Sequence, residues 1–148
     1  MKISTKGRYG LAAMVHIARY YAPGQSIPII NISEKLGISK IYLEQVFALL
    51  KRARLVTSTK GAQGGYQLGF TPDQITIFEV LSATEPSLFE DTEATILDSS
   101  PEIEGAMQSV VFDMLNQKLQ ETLSKITLAD LVKEAEKNTP DDGFMLFI

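Results

Sequence analysis

The chain has 148 residues, a formal net charge of −4 and no cysteine, and its length predicts one domain or one domain with an appendage. The absence of cysteine excludes disulfides, thiolate zinc sites and ordinary iron–sulfur ligation, and the single histidine, His16, excludes a multi-histidine metal site. No apolar run approaches the roughly 18 residues of a membrane span and the N-terminus is not a signal peptide, so we expect a cytoplasmic protein.

A first helix is predicted to begin near Lys6, after a cap at Ser4 or Thr5, and to end at residues 22–24, where Pro and Gly stop it. Its predicted buried face, at helical spacing, consists of Leu11, Met14, Val15, Ala18 and Tyr21. Lys6 and Arg8 lie in the first turn, where phosphate contact and solvated surface charge are equally compatible with the spacing.

Residues 27–36 predict a second short helix that opens near Pro28. Gly37 then supplies a left-handed terminating residue, and Ser39 caps a third helix over residues 39–50. A helix, a glycine-containing turn and a second helix are typical of a helix-turn-helix motif, although many helical hairpins share the pattern.

The third helix is predicted to turn one stripe inward and its other face outward. The inward stripe is Leu43, Val46, Phe47 and Leu50, and the outward residues are Lys40, Ile41, Glu44, Gln45 and Ala48, with Tyr42 at the margin. Gln can pair with adenine and Glu can accept from cytosine N4, so this face can read bases in a major groove. Ordinary exposed helix positions are the alternative.

Two strand-like segments, residues 55–59 and 66–70, flank a glycine-rich segment at 60–65. A helix that ends in cations and leads into such a hairpin is typical of a winged helix-turn-helix protein, whose wing reaches the flanking backbone or minor groove. A nucleotide-binding loop is the alternative, but the Walker pattern needs Gly-Lys-Ser/Thr, and here Gly65 is followed by Tyr66 and Gln67.

Charge separates the two halves of the chain. Residues 1–70 carry ten Lys or Arg and two acids, for a net charge of +8, whereas residues 71–148 carry four Lys and sixteen acids, for −12. This split predicts a polyanion-binding end and a solvated or partner-binding end, with chance segregation as the alternative.

After an acidic linker at residues 85–101, a long helix is predicted over residues 102–125, with an apolar stripe at three- and four-residue steps. So long a stripe on so small a core predicts a two-fold dimer, and packing on its own domain is the alternative. The predicted dimerisation residues are Ile103, Met107, Val110, Val111, Met114, Leu115 and Leu119.

The expected fold is therefore mainly α with a small β-hairpin wing. A winged helix-turn-helix domain occupies residues 1–84, the acidic linker follows, and residues 102–148 form the dimerisation helix and a C-terminal tail. The five apolar residues 144–148 are predicted to be covered rather than exposed to water. They add a strand, pack on the dimer or dock into a partner.

Several segments together resemble the Rrf-type bacterial transcription regulators, whose members include the iron–sulfur regulator IscR, the nitric-oxide sensor NsrR and the cysteine-metabolism repressor CymR. The similar segments are residues 3–10, 42–45, 55–56, 61–66 and 126–131, and the resemblance extends over nearly the whole chain. It implies a dimeric winged helix-turn-helix protein whose long helices pair across the two-fold axis and which binds inverted-repeat operators.

Three departures qualify the resemblance. Many members carry three cluster-ligating cysteines in the loop that corresponds to residues 85–101, which has none here, so neither a cluster nor another cofactor is predicted. Lys60 stands where the wing usually has Arg, and offers a point charge in place of a planar fork. Arg54 stands where Gly is common, adding a cation at the turn between helix and hairpin.

The cysteine-free, aromatic-rich C-terminus most resembles the CymR-like branch, whose members act with cysteine synthase. The active site of that enzyme can hold a C-terminal isoleucine peptide. The resemblance therefore implies that a tail containing Phe144 and Ile148 docks into such an enzyme, which serves as corepressor. A tail strand that closes the dimer is the alternative.

We interpret the chain as a dimeric, sequence-specific repressor that binds double-stranded DNA and controls sulfur or cysteine metabolism with a protein corepressor. The predicted DNA-binding residues are Lys6, Arg8, Ser39, Lys40, Tyr42, Glu44, Gln45, Lys51, Arg52, Lys60 and Gly61. An enzyme is not expected, because the sequence has no nucleophile–base pair, carboxylate dyad or nucleotide motif. A winged-helix protein-interaction module without specific DNA binding is the alternative.

Overall fold

The computed structural model describes residues 1–61 and 64–140, which form seven α-helices, a short 3-10 helix at Pro86–Phe89, one π-helical turn and one hairpin. The elements are α1 (Thr5–Arg19), α2 (Ile29–Leu36), α3 (Lys40–Arg52), β1 (Val56–Thr59), β2 (Gly65–Leu68), α4 (Ile77–Thr84), α5 (Pro101–Met107), α6 (Asp113–Ser124) and α7 (Leu128–Asn138). This mainly helical architecture with a two-stranded antiparallel wing confirms the predicted fold class. Within the described ranges, no helix is long and apolar enough to cross a membrane.

Helix α1 begins where the sequence predicts and ends earlier. The Ser4 Oγ accepts a hydrogen bond from the Gly7 N–H at 3.1 Å, which fixes the N-terminus. The helix stops at Arg19 rather than at residues 22–24, because a proline at position 23 would clash with the carbonyl of the residue four before it.

The buried face of α1 differs from the predicted stripe. Its buried residues are Gly7, Gly10, Ala13, Met14, Ile17 and Ala18, whereas Leu11 and Val15 are half-buried and Tyr21 is exposed outside the helix. The reason is close packing against the end of α4. A Cβ added at Gly10 would lie 2.7 Å from the Thr84 Cγ2, so these two helices approach at a distance that only glycine allows.

Helices α1, α3 and α4 surround a core that also receives α7. Phe47, Met14 and Val80 are fully buried there, and Leu128 at the start of α7 is fully buried as well. The Ile77 N–H donates to the Ile126 carbonyl at 2.8 Å, and the Leu128 N–H donates to the carbonyl of residue 75 at 2.9 Å. These backbone bonds attach α7 to the N-terminal part of the chain.

The predicted single helix over residues 102–125 contains a π-helical turn. Residues Gln108–Phe112 form this turn between α5 and α6, and the Asp113 N–H donates to the Gln108 carbonyl across five residues. The side chains repeat that spacing, since the Gln108 Nε2 donates to the Asp113 Oδ1 at 2.6 Å. Hydrophobic periodicity does not predict this widening, because it assumes a regular 3.6-residue turn throughout the helix.

Candidate nucleic-acid interface

Helix α3 presents a polar face to solvent on the side opposite the core. The Ser39 Oγ accepts a hydrogen bond from the Tyr42 N–H at 3.2 Å and so caps the helix. Lys40, Glu44 and Gln45 are exposed, as the sequence predicts for the outward face of this helix. The inward residues Leu43, Val46, Phe47 and Leu50 are all fully buried.

The turn before α3 sets the direction of this helix. Gly37 has φ 67°, in the left-handed region, and its N–H donates to the Ser33 carbonyl at 2.9 Å. The Ser33 Oγ also donates to the Ile38 carbonyl at 2.6 Å. Both bonds close the turn tightly, so α2 supports α3 at a fixed angle.

The wing and the first half of α3 form the two sides of one cleft of about 370 Å³. Lys40 and Glu44 line it from the helix, and Gly61 lines it from the wing. The remaining lining residues are Ile29, Ser58, Thr59, Gly64, Gly65 and Tyr66. Three of the predicted DNA-binding residues therefore meet at one place, although they are up to 21 positions apart in the chain.

Tyr66 fixes the wing to α3. Its ring stacks on that of Phe47, with centroids 4.2 Å apart and planes 8° from parallel. Burial, and secondarily the nearby Glu44 carboxylate, raises the pKa of Tyr66, so its hydroxyl stays neutral. The sequence analysis missed this residue, and the signal that could have found it is a tyrosine placed after the wing glycines to face the helix.

A third segment holds the wing from its other edge. The Ile27 N–H donates to the Tyr66 carbonyl at 2.8 Å, and the Tyr66 N–H donates back to the Ile27 carbonyl at 3.0 Å. A Cβ added at Gly65 would lie 2.8 Å from that same Ile27 oxygen, so the close approach requires glycine. The wing is thereby held by both α3 and the segment before α2.

The tip of the wing carries Lys60 and Gly61. Both are exposed, and Gly61 has φ 139°, which favours glycine. Residues 62–63, which complete the tip, lie outside the described residues. Lys60 is thus adjacent to the cleft, as a candidate phosphate contact, without lining it.

Lys6 and Tyr42 meet in a second depression on the side of α3 that faces α1. Tyr42 is half-buried, and its ring makes an edge-to-face contact with Tyr9, with centroids 5.1 Å apart. This contact ties the start of α3 to the start of α1. Lys6 is exposed beside it, so the first turn of α1 and the start of α3 form one surface.

Glu85, which the sequence analysis did not select, caps the backbone at this second depression. Both of its carboxylate oxygens accept from the Ser4 N–H, at 3.0 and 3.2 Å. A negative group at a helix N-terminus is favourable, because it complements the helix dipole. The carboxylate comes from a segment 81 residues later, so only the fold brings it to Lys6.

Besides Lys60, three of the predicted cations lie outside both depressions. Lys51 and Arg52 are exposed at the C-terminal end of α3, roughly 16 Å along the helix axis from Lys40. Arg8 is exposed in α1. These cations extend the basic surface beyond the cleft, and their contact with phosphates stays a prediction.

Arg54 occupies the turn between α3 and β1 in a left-handed conformation, with φ 64°. The Leu55 N–H donates to the Leu50 carbonyl at 3.0 Å, and the Gly69 N–H donates to the Leu55 carbonyl at 2.9 Å. These bonds hold the turn, so Arg54 keeps a conformation that non-glycine residues disfavour.

The predicted dimerisation stripe is largely open to solvent. Five of its seven residues, Ile103, Val110, Val111, Met114 and Leu115, are exposed. Met107 and Leu119 are half-buried. A row of exposed large apolar side chains along α5, the π-helical turn and α6 marks an interaction surface.

Among known proteins, a profile of the Rrf2 family, described as an iron-dependent transcriptional regulator, matches residues 3–134. The transcriptional regulator IscR of Aliivibrio salmonicida (strain LFI1238) is 34% identical over 145 residues, covering 96% of this chain and 83% of the relative. IscR of Sodalis glossinidius (strain morsitans) is 37% identical over 139 residues, covering 92% and 81%.

Solved structures of two such regulators have the same fold. CymR, the global cysteine regulator of B. subtilis, gives a TM-score of 0.73 at 33% identity and covers 90% of this chain and 98% of that chain. IscR of T. potens also gives 0.73, at 36% identity, and covers 99% and 96%.

The donor groups of this chain do not fit an iron centre of the thiolate kind. The sequence has no cysteine and one histidine. In the part of the chain that the structure describes, no three His, Asp or Glu side chains are grouped to hold a metal ion. Glu104, in α5, is buried, but its Oε1 only accepts a long hydrogen bond of 3.4 Å from the Ile96 N–H.

Proposed function

Because this chain belongs to the Rrf2 family of transcriptional regulators and has their DNA-binding winged-helix fold, we propose that it is a cytoplasmic, dimeric repressor of inverted-repeat operators. The observation that carries this proposal is the cleft at which Lys40 and Glu44 of α3 meet Gly61 of the wing. In this proposal α3 reads the bases and the wing binds the backbone, so the two engage adjacent parts of one duplex.

In this proposal α3 enters the major groove, whose width of about 12 Å matches the diameter of an α-helix. Gln45 and Glu44 face the bases. The Glu44 carboxylate only accepts hydrogen bonds, so it favours the cytosine amino group and rejects bases that present an acceptor. Ser39 and Tyr42, at the start of the helix, contact bases and the nearby backbone.

The cations position the protein rather than read the sequence. We assign phosphate contacts to Lys6, Arg8, Lys40, Lys51, Arg52 and Lys60. They lie in the first turn of α1, at both ends of α3 and near the tip of the wing. Gly61 lets the wing backbone approach the duplex without a side chain.

Dimerisation follows from the exposed apolar stripe on α5 and α6. Pairing of the stripe with a second copy covers side chains that otherwise remain in water, and two-fold pairing is the commonest arrangement. The two recognition helices then address half-sites about one helical turn apart, roughly 34 Å.

The likeness to the cysteine regulator CymR supports a finer assignment to sulfur or cysteine metabolism, with cysteine synthase as corepressor. The tail residues assigned to that contact, Phe144 and Ile148, lie outside the described residues. A pull-down with cysteine synthase, using the full chain and a chain that lacks residues 144–148, tests this assignment. Equal recovery of the enzyme by both chains contradicts a role for the tail.

Selection of bound duplexes from random DNA tests the DNA-binding proposal. We expect an inverted repeat and steep salt dependence, because counterions are released from phosphates. Lys40→Ala should weaken binding, and Lys137→Ala, which removes an exposed cation on α7, should not. If no sequence is enriched, the alternative of a winged-helix protein-interaction module replaces this proposal.

A further inference from the structure

An apolar groove lies between α1, α2 and α7, and none of its lining residues is among the predicted DNA-binding residues. It has a volume of about 460 Å³, within the ~300–1,000 Å³ of pockets that bury organic ligands. We call it the α1–α2–α7 groove. Its apolar wall consists of Leu11, Val15, Leu36, Leu131 and Ala135.

One end of the groove is positively charged. His16, Arg19 and Lys35 line it, with Glu134 as the acidic lining residue. Burial, and then the charges of Lys35 and Arg19, lowers the pKa of His16, as expected where cations converge. Within residues 1–61 and 64–140, Arg19 and Lys35 make no ion pair, since the pair within 4 Å joins Lys118 and Glu121, at 3.8 Å.

The end of α7 delivers the chain to this charged end. Asn138 lines the groove, and the Arg19 Nη2 donates to the Thr139 Oγ1 at 2.7 Å. Residues 141–148 follow, beginning with Asp141 and Asp142, continuing through glycine and finishing with five apolar residues. Asp141 and Asp142 therefore lie two and three positions after Thr139, and the apolar residues 144–148 follow them.

We propose that residues 141–148 bind in the α1–α2–α7 groove of their own chain, with the two aspartates beside Arg19 and Lys35 and residues 144–148 on the apolar wall. The dimensions agree. Five extended residues span about 16 Å, and the groove follows α1 from Arg19 to Leu11 for about 12 Å. Glycine at position 143 supplies the freedom to reverse direction at the charged end.

This inference concerns a surface away from the recognition helix and goes beyond the proposed function. It also gives the tail a second binding site. The same apolar residues cannot occupy the groove and a partner enzyme at once, so a protein that captures the tail competes with the groove and exposes its apolar wall.

The absence of native cysteine makes a disulfide test simple to interpret, because any disulfide must form between introduced cysteines. In the full chain, Ala12→Cys places one thiol in the groove and Leu146→Cys places the other in the tail. Ala106→Cys with Leu146→Cys is the control, since position 106 is exposed on α5 outside the groove. Both pairs are oxidised with diamide and read by mass spectrometry and non-reducing electrophoresis.

We expect the groove pair to close within one chain about tenfold faster than the control pair, because docking raises the local thiol concentration. Arg19→Gln with Lys35→Gln should slow closure, whereas Lys133→Gln with Lys137→Gln, on the exposed side of α7, should not. Equal rates for the two thiol pairs overturn the proposal. Covalent dimers as the main product also overturn it, because the tail then comes from a second copy. DNA is absent throughout, so failure here is separate from failure of DNA binding.

Discussion

Replacing Arg54 by glycine should stabilise the protein, because this residue holds a left-handed conformation with φ 64°. A side chain in that region costs about 1–2 kcal/mol. Glycine gives back roughly 0.5–1 kcal/mol, since it loses more conformational freedom on folding. The net gain for Arg54→Gly is therefore about 1 kcal/mol, which corresponds to a rise in Tm of roughly 2–4 °C for a chain of this size.

Arg54→Ala is the matched control for the backbone effect. It removes the same charge but keeps the Cβ, so the unfavourable conformation remains and Tm should stay near that of the parent chain. Any weakening of DNA binding through loss of the cation should be equal in the two variants. The turn cannot relax in either, because the hydrogen bonds of Leu55 to Leu50 and of Gly69 to Leu55 hold it.

The assay is thermal and urea unfolding of all three chains at one protein concentration, because the apparent stability of a dimer depends on concentration. If both methods find that the Arg54→Gly variant is more stable than the Arg54→Ala variant, the calculation is supported. If the glycine and alanine variants unfold at the same temperature, the left-handed turn does not carry the assigned strain and the reasoning is refuted.

Four further predictions follow from the site and its support. Glu44→Ala should broaden the set of bound sequences while nonspecific binding stays equal or increases, as read by selection from random DNA; loss of all binding by a folded variant contradicts this. Lys60→Ala should reduce the slope of log affinity against log salt by about 0.9, the contribution of one phosphate contact, and an unchanged slope in gel shifts refutes that contact. Gly10→Ala should destabilise by about 1–3 kcal/mol through overpacking, because its Cβ would lie 2.7 Å from a methyl group of α4. Gly105→Ala is its control, since nothing lies within 4 Å of that Cβ, and equal Tm values would remove the packing argument. The lowered pKa of His16 means that the unfolded chain binds a proton at this residue more readily than the folded chain does. The free energy of unfolding should therefore decrease as the pH is lowered through the ordinary histidine pKa of about 6.5. His16→Gln should show a smaller loss than the parent between neutral and mildly acidic pH, and parallel unfolding curves contradict this.

The helix-turn-helix was predictable because its signals are local. Gly37 supplies the left-handed turn, Ser39 caps the next helix, and the spacing from Leu43 to Leu50 divides α3 into buried and exposed faces. Each of these depends on residues within one or two turns. The structure therefore confirms the turn and the predicted buried face of α3. It also confirms that Lys40 and Gln45 lie on the exposed face of that helix.

The buried face of α1 was not predictable from hydrophobic periodicity. Gly7 and Gly10 carry no hydrophobic signal, yet they are buried because their lack of a side chain admits Thr84 and Glu85. Periodicity instead selects Leu11, which is half-buried and lines the α1–α2–α7 groove. Contacts across about 80 residues decide which face is inside, and a local window does not contain them.

The cleft between α3 and the wing is made rigid by long-range aromatic and backbone contacts, which cannot be predicted from a local stretch of sequence. Tyr66 stacks on Phe47 and pairs with Ile27, which joins the wing to α3 and to the segment before α2. The contact of Tyr9 with Tyr42 joins α3 to α1. Binding loses less free energy to ordering when the contacting elements are already held in place. In the proposed complex, the packing of aromatic residues behind the cleft sets the distance between α3 and the wing before DNA binds, so more of the interaction free energy remains to discriminate between sequences.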